Sequence, residues 1–188
     1  MNETYSEPTK PNRTGKIWLL LSIFVVVITV DQVSKVLAKQ LLEGAGTLSY
    51  AGDFFRWHYS ENTGAFLSLG AGLSEEVRFW VFNVAVAVVL LGLLISIILN
   101  DDDRPLVLLT YGLVIAGGVG NLIDRFVHNG AVVDFMNVGI GNLRTGIFNV
   151  ADMAITTGVL LLIFYGFKPH RKEPTHVTPQ QPDLSNAE

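Results

Sequence analysis

Two carboxylates stand where an apolar chain has little ordinary use for them. Asp134 sits inside VVDF, and Asp152 opens the run ADMAITTGVLLLIFYGF, which is otherwise nearly unbroken in its apolar character. An ionised side chain at bilayer depth is costly and points to function by default. Two aspartates held close in a low-dielectric site cannot both ionise comfortably, so they share a proton and titrate with two separated pKa values. The ionised partner can activate a water. The protonated partner can polarise a peptide carbonyl and later protonate the leaving amine. No covalent intermediate is needed.

Competing chemistries lack their residues. The chain has no cysteine, which excludes disulfides, thiolate metal sites and a cysteine nucleophile. It has no HExxH or other convincing metal spacing, and no GxSxG elbow. No metal or cofactor is therefore expected. His58 and His128 fall in no obvious triad. Ser34 and Lys35 are adjacent, so on a helix they point about 100° apart and cannot readily face each other. Asp152 also has a plain reading, since acids are favoured in a helix's first turn and Asn149 can be its N-cap. That reading leaves Asp134 unexplained.

The segment AVVDFMNVGIGNLRTGIFNV offers a way to bring the pair together. It reads as a hairpin about GIGN, which places Asp134 roughly opposite Ile147. Asp152 follows five residues later on the first turn of a helix rising about 1.5 Å per residue.

The elements that must hold these groups are membrane spans. Hydrophobic residues make up 49% of the 188 and charged residues 16%, with the apolar residues gathered in long blocks. Four segments are long enough: Ile17 to about Leu37, Phe79 to Leu99, Leu106 to about Phe126, and Val150 to Phe167. The first follows Lys10, Arg13 and Lys16 as a signal peptide would, but it runs into DQVSK without a small-residue cleavage site and is read as a retained helix. The acidic turn NDDDRP ends the second. The expected fold is a membrane all-α, four-transmembrane-helix bundle with a small extracytoplasmic β-sheet and loop region. Residues 17–167 form the membrane domain, between polar tails at 1–16 and 168–188 that read as disordered. The net charge of −4 and the lack of a basic stripe exclude a nucleic-acid partner.

Four spans put both termini on one side, with Lys10, Arg13, Lys16, Arg104, Lys168, Arg171 and Lys172. Lys39, Arg56, Arg78 and Arg144 lie opposite. The bias favours cytoplasmic termini. In that orientation Asp31 to Lys35, Asn62, Asn121 to Arg125, Asp134 and Asn149 to Asp152 all gather at the non-cytoplasmic face. Random polar residues would scatter over both.

Each cluster has a plain reading beside the functional one. Asp31 and Lys35 are one helical turn apart with the acid first, which suits an ion pair at a helix end or a brace for other polar groups. In Thr47 to Ser60, Phe55, Trp57 and Tyr59 alternate with polar residues as in a strand. Such a face can lie in the headgroup belt, and a sheet on the membrane can receive an extended peptide. NTGAFLSLG is loop-like; Asn62 can hydrogen-bond a substrate or simply a turn, and Gly64 allows close approach. In GGVGNLIDRF, Gly117, Asn121 and Asp124 share a helix face. Close packing accounts for the glycine but not for Asn121, Asp124 and Arg125 arriving together. Arg125 can hold a carboxylate or peptide carbonyl.

The set DQVSK, NTGAF, GGVGNLIDR, VVDF and FNVAD, in this order over Ile17 to Phe167, resembles the bacterial lipoprotein signal peptidases (signal peptidase II). The resemblance implies an aspartic endopeptidase of the bacterial inner membrane, acting near its periplasmic face. It implies cleavage of prolipoproteins just before a cysteine carrying diacylglycerol. Membrane lipids are the other expected partners, and a monomer is the expected state. Asp134 and Asp152 match the family's catalytic pair. Asp31, Lys35, Asn62, Gly64, Gly117, Asn121, Arg125, Asn149 and Ala151 match its supporting positions, and Asp124 belongs to the same motif as a scaffold. Many members read NxGAAFS where this chain has NTGAFLS, a departure at Phe66 and Ser68. Two rivals predict otherwise. A proton-coupled carrier usually places its carboxylates near the bilayer midplane, and a membrane adaptor would tolerate their loss.

Overall fold

A computed structural model describes residues 13–64, 70, 72–99 and 104–166. Of the expected tails at 1–16 and 168–188, Arg13–Lys16 are helical, so the first helix starts four residues before the expected Ile17; the remaining tail residues, the acidic turn at Asp101 to Asp103, and Phe66 and Ser68 lie outside the described residues.

Helix α1 runs Arg13–Leu42, unbroken because no proline and only Gly15 interrupt it. It ends at the sequence Gly44-Ala45-Gly46, five residues beyond the expected Leu37. Helix α2, Glu75–Phe79, is capped by Ser74 and passes through a π-helical turn, Trp80–Ala85, into α3, Val86–Leu99. That second apolar segment therefore starts four residues before the expected Phe79, because the Ser74 cap lies before Glu75 and Glu76. Helix α4, Pro105–Val127, begins on a proline, whose missing N–H costs nothing at the first helical position. Helix α5, Val150–Leu161, is capped by Asn149 and continues as a π-helical segment, Leu162–Gly166.

Three of these helical segments, Arg13–Leu42, Glu75–Leu99 and Pro105–Val127, are long and apolar enough to cross a membrane, and Val150–Phe164 is a shorter apolar helix. Large apolar side chains stay on the surface, among them Val25, Val26, Val88, Val89 and Ile98. Such a continuous apolar surface suits lipid rather than water.

Helix α4 lies at the centre, packed on α1, α3 and α5. Its glycines make this possible. A Cβ on Gly117 would stand 2.5 Å from the Ala151 carbonyl oxygen, and one on Gly120 would stand 2.7 Å from Asp31 Oδ2. At one end Ile97, Leu108 and Ile115 form a buried cluster against Leu20 and Phe24.

The other end carries an antiparallel sheet in the order β1 (Leu48–Tyr50), β2 (Phe55–Asn62), β3 (Val132–Ile140), β4 (Leu143–Arg144). The aromatic alternation of Phe55, Trp57 and Tyr59 faces protein: these side chains pack with Ala38 and Leu42 of α1, and Trp57 stacks on Phe135 at 5.7 Å. Arg144 pins the far corner by donating to Asn137 Oδ1 at 2.5 Å and to the Asp53 carbonyl at 2.7 Å.

The hairpin register differs from the sequence expectation. Gly139 pairs with Arg144, and Met136 bridges Phe148, so Asp134 does not lie opposite Ile147. The Phe148 carbonyl accepts from both Phe135 N and Met136 N, which displaces the returning chain from a simple ladder. Asp134 is instead opposite Ser60 of β2.

Candidate active site

Asp134 and Asp152 arrive from different elements and line one cavity of about 360 Å³. Asp134 projects from β3 and is 2% exposed. Its Oδ2 accepts from Asn62 Nδ2 at 3.0 Å, and its Oδ1 accepts from Asn149 Nδ2 at 2.7 Å. Asp152 sits at the third position of α5 and completes a capping box with Asn149. Its Oδ2 accepts from the Asn149 backbone N at 3.2 Å, while its own N–H donates to Asn149 Oδ1 at 2.9 Å. The plain reading of Asp152 as a helix-start acid and the functional one therefore hold together. The remaining oxygen, Oδ1, accepts from Asn121 Nδ2 at 2.9 Å.

Asn149 is the hinge of this arrangement. It is fully buried, and it contacts both carboxylates while also donating to Asn121 Oδ1 at 3.1 Å. One amide thus ties the start of α5 to β3 and α4. Its orientation is decided by its neighbours: Oδ1 must accept from the α5 backbone, so Nδ2 must face Asp134.

Behind the pair lies a buried ion cluster. Lys35 Nζ reaches Asp31 Oδ2 at 2.8 Å, Asp124 Oδ2 at 3.0 Å and Asn121 Oδ1 at 3.1 Å. An ammonium has three N–H donors and no acceptor, and here each donor meets an oxygen. Asp31 and Lys35 form the pair that their spacing suggested, but at the core of the bundle rather than at a helix end. Lys35 is 3% exposed and Asp31 and Asp124 are 0% and 1%. Lys35 holds Asn121 Oδ1 toward itself, which turns the Asn121 N–H₂ toward Asp152. Asp31 Oδ1 accepts from Ala151 N at 2.8 Å, and Asp124 Oδ2 accepts from Val133 N at 2.9 Å. The two acids therefore anchor the backbone immediately before each of the paired aspartates. Gly117 and Gly120 let α5 and Asp31 come close enough for these bonds.

Asn62 and Gly64 form the cavity rim. Asn62 Oδ1 accepts from Gly64 N at 2.9 Å, and Arg125 Nη2 donates to the Gly64 carbonyl at 3.2 Å. All twelve residues expected to form or support the site thus lie within this network. Gln32 was not foreseen. Its Nε2 donates to Asp31 Oδ2, the Gly120 carbonyl and Asp124 Oδ1 at 3.0 to 3.2 Å. Its place inside DQVSK, between two charged residues of one helix, was the available signal. Ser34 Oγ donates to the Asp31 carbonyl at 2.7 Å, and Lys35 Nζ is engaged elsewhere, so the two do not form a nucleophile–base pair.

Burial pushes the Asp134 carboxyl up to about 7; the hydrogen bond from Asn62 opposes the rise and the Asp152 charge adds to it. Such a group carries its proton through much of the neutral range. If Asp134 must be protonated to work, kcat/KM falls about tenfold per pH unit above roughly 7. The same shift bears on stability. The native state holds this proton more tightly than the unfolded chain, so the contribution is complete below about pH 4 and lost as pH rises through about 7, at most about 4 kcal/mol. Unfolding temperatures of the wild type and Asp134→Asn should therefore move apart in favour of the variant between pH 5 and 8. A constant difference would sink the assignment.

Apolar helices around a largely apolar cavity that carries two carboxylates mark a membrane-embedded enzyme. The comparisons with known proteins give its kind. The family model described as signal peptidase (SPase) II matches residues 23–168. The lipoprotein signal peptidase of Mycobacterium tuberculosis (strain ATCC 25618 / H37Rv) is 34% identical over 169 residues, which cover 86% of this chain and 78% of that one. The lipoprotein signal peptidase of Yersinia pseudotuberculosis serotype O:1b (strain IP 31758) is 35% identical over 154 residues, covering 82% and 88%. A solved structure described as a bacterial membrane enzyme superposes with a TM-score of 0.68 at 27% identity, covering 88% of this chain and 98% of the other. The chain belongs to the signal peptidase II family and is an aspartic peptidase.

Proposed function

We propose that this protein cleaves prolipoproteins just before a diacylglyceryl-modified cysteine, with Asp134 and Asp152 activating water between them. The observation that carries the reading is that one buried residue, Asn149, holds both carboxylates at the wall of one cavity, Asp134 through its side-chain amide and Asp152 through its backbone N–H. Each carboxylate accepts two N–H donors, but only Asp152 sits at a helix N-terminus, where the dipole favours the ionised form. It takes the proton from the attacking water. Asp134 holds a proton near neutral pH, polarises the scissile carbonyl and then delivers the proton to the leaving amine. The cavity's apolar wall, formed by Val86, Ile155, Val159 and Leu160, suits a substrate that arrives from lipid.

The membrane arrangement follows from the same reading. Val150–Gly166 supplies a fourth span, roughly 25 Å long at 1.5 Å per residue, close to the hydrocarbon thickness. Residues 17–167 form the peptidase domain. Both tails face the cytoplasm of a bacterial inner membrane, as the basic residues favour, and the sheet and paired aspartates face the periplasm. One chain contributes both carboxylates, so a monomer suffices.

The test is cleavage of a diacylglyceryl prolipoprotein by the purified protein in lipid, with the new termini fixed by mass spectrometry. Hydroxylamine is added to trap any acyl-enzyme. Direct attack by water gives no hydroxamate, and Ser34→Ala retains activity. A hydroxamate product, or a cut elsewhere than before the lipidated cysteine, would overturn the proposal.

A further inference from the structure

A second cavity of about 240 Å³ lies on the other side of Arg125, lined by Thr63, Glu75, Arg78, Phe82, Asn83 and Asn129 among others. Asn83 is 93% buried, being only 7% exposed, and its Oδ1 meets no hydrogen-bond partner among the described residues. Arg125 Nε is likewise buried and without a partner, although the same guanidinium bonds the Gly64 carbonyl and lies over the Phe82 ring at 5.7 Å. A buried polar atom left unpaired costs about 1–3 kcal/mol, so two such atoms on residues that line one cavity call for a hydrogen-bonding occupant. Asn83 also lies in the π-helical turn Trp80–Ala85, and such turns gather at functional sites.

The unpaired atoms are one acceptor and one donor. A peptide group carries one N–H and one C=O and can satisfy both. An anion would meet Glu75, and a cation would meet Arg78 and Arg125. Position decides which part of the polypeptide enters. The first cavity extends from Asp134 and Asp152 along Val159 and Leu160 into the bundle, an apolar route suited to a signal segment. The second opens at the sheet end among Thr63, Asn129 and Gly130. Thr63 and Gly64, consecutive residues, line one cavity each, so an extended chain crossing the aspartates passes from one to the other within a few residues at about 3.3 Å each.

We propose that this second cavity binds the substrate on the mature side of the scissile bond, one backbone amide donating to Asn83 Oδ1 and accepting from Arg125 Nε. The proposal rests on the placement of the cut at Asp134 and Asp152.

The test uses the full chain in lipid and two diacylglyceryl lipopeptides. One ends immediately after the modified cysteine, and the other continues for several mature residues. Asn83→Leu should raise KM for the longer peptide about tenfold, the loss of one hydrogen bond, with kcat unchanged and the shorter peptide unaffected. Asn83→Asp keeps an acceptor and should restore KM. Backbone esters placed one at a time in the longer peptide probe the unaltered protein. One position should reproduce the rise in KM and add nothing in Asn83→Leu. Equal loss on both peptides, or no sensitive ester position, would overturn the proposal. Failure of the aspartate reading shows differently, as cleavage retained by Asp134→Asn.

Discussion

Asparagine in place of Asp152 lowers cleavage by about 10³-fold or more while the protein stays folded, and asparagine in place of Asp134 does the same. The substitutions are close in shape but remove proton traffic. At 152, one oxygen is retained to accept from Asn149 N, so most of the cap survives, at a cost of about 1 kcal/mol. At 134, the new amide must present an N–H₂ toward one of two donors, Asn62 or Asn149, which costs one hydrogen bond. Neither loss unfolds a domain. Because the carboxylates act as one unit, the double variant should be no slower than the worse single one. Rates measured in lipid beside unfolding temperatures check this. Additive losses would mean that each aspartate acts independently. Near-normal cleavage by either folded variant would remove it from the mechanism and favour an adaptor or carrier.

Much of this site was legible because its residues are costly where they stand. Charges and amides inside apolar blocks announce themselves, and a helical period places Asp31 with Lys35 and Asn121 with Asp124. What pattern could not supply was contact between distant segments. Asp134 meets Asn62 and Ser60 across a strand pairing between residues separated by a long stretch of chain, and nothing local in VVDF names that partner. The hairpin reading brought the aspartates together by the wrong register, although the neighbourhood was right. DQVSK suits either a helix end or a brace for other polar groups; α1 continues past Leu37 to Leu42, so the pair stands within the bundle and Lys35 reaches Asn121 as a brace would. Its burial depends on Asp124 and Asn121 from α4, which turn an interface pair into a saturated cluster. Asn83 escaped notice although it stands alone in WVFNVAVAVV. A lone amide in an apolar helix is the same kind of signal as Asp152, weaker only because it carries no charge.

Lys35→Met should destabilise the protein by about 3–5 kcal/mol, the cost of leaving buried acids without their cation. Methionine matches the stem but offers no donor. Asp31 and Asp124, both buried, then face each other's charge with no cation between them. Cleavage should fall as well, by about 10²-fold, because Asn121 loses the contact that turns its N–H₂ toward Asp152 and a misplaced catalytic group is that expensive. The two effects can be separated. In Lys35→Met/Asp124→Asn the surplus charge is gone and the new amide oxygen can still accept from Val133 N, so a good part of the stability should return. Asn121 remains unanchored, so the rate should not. Unfolding temperature and kcat measured on the single and double variants decide the matter. If stability and rate recover together, Lys35 serves the fold alone. If stability returns without rate, the buried lysine orients the aspartate that attacks through water, and the ion cluster and the paired carboxylates work as one device.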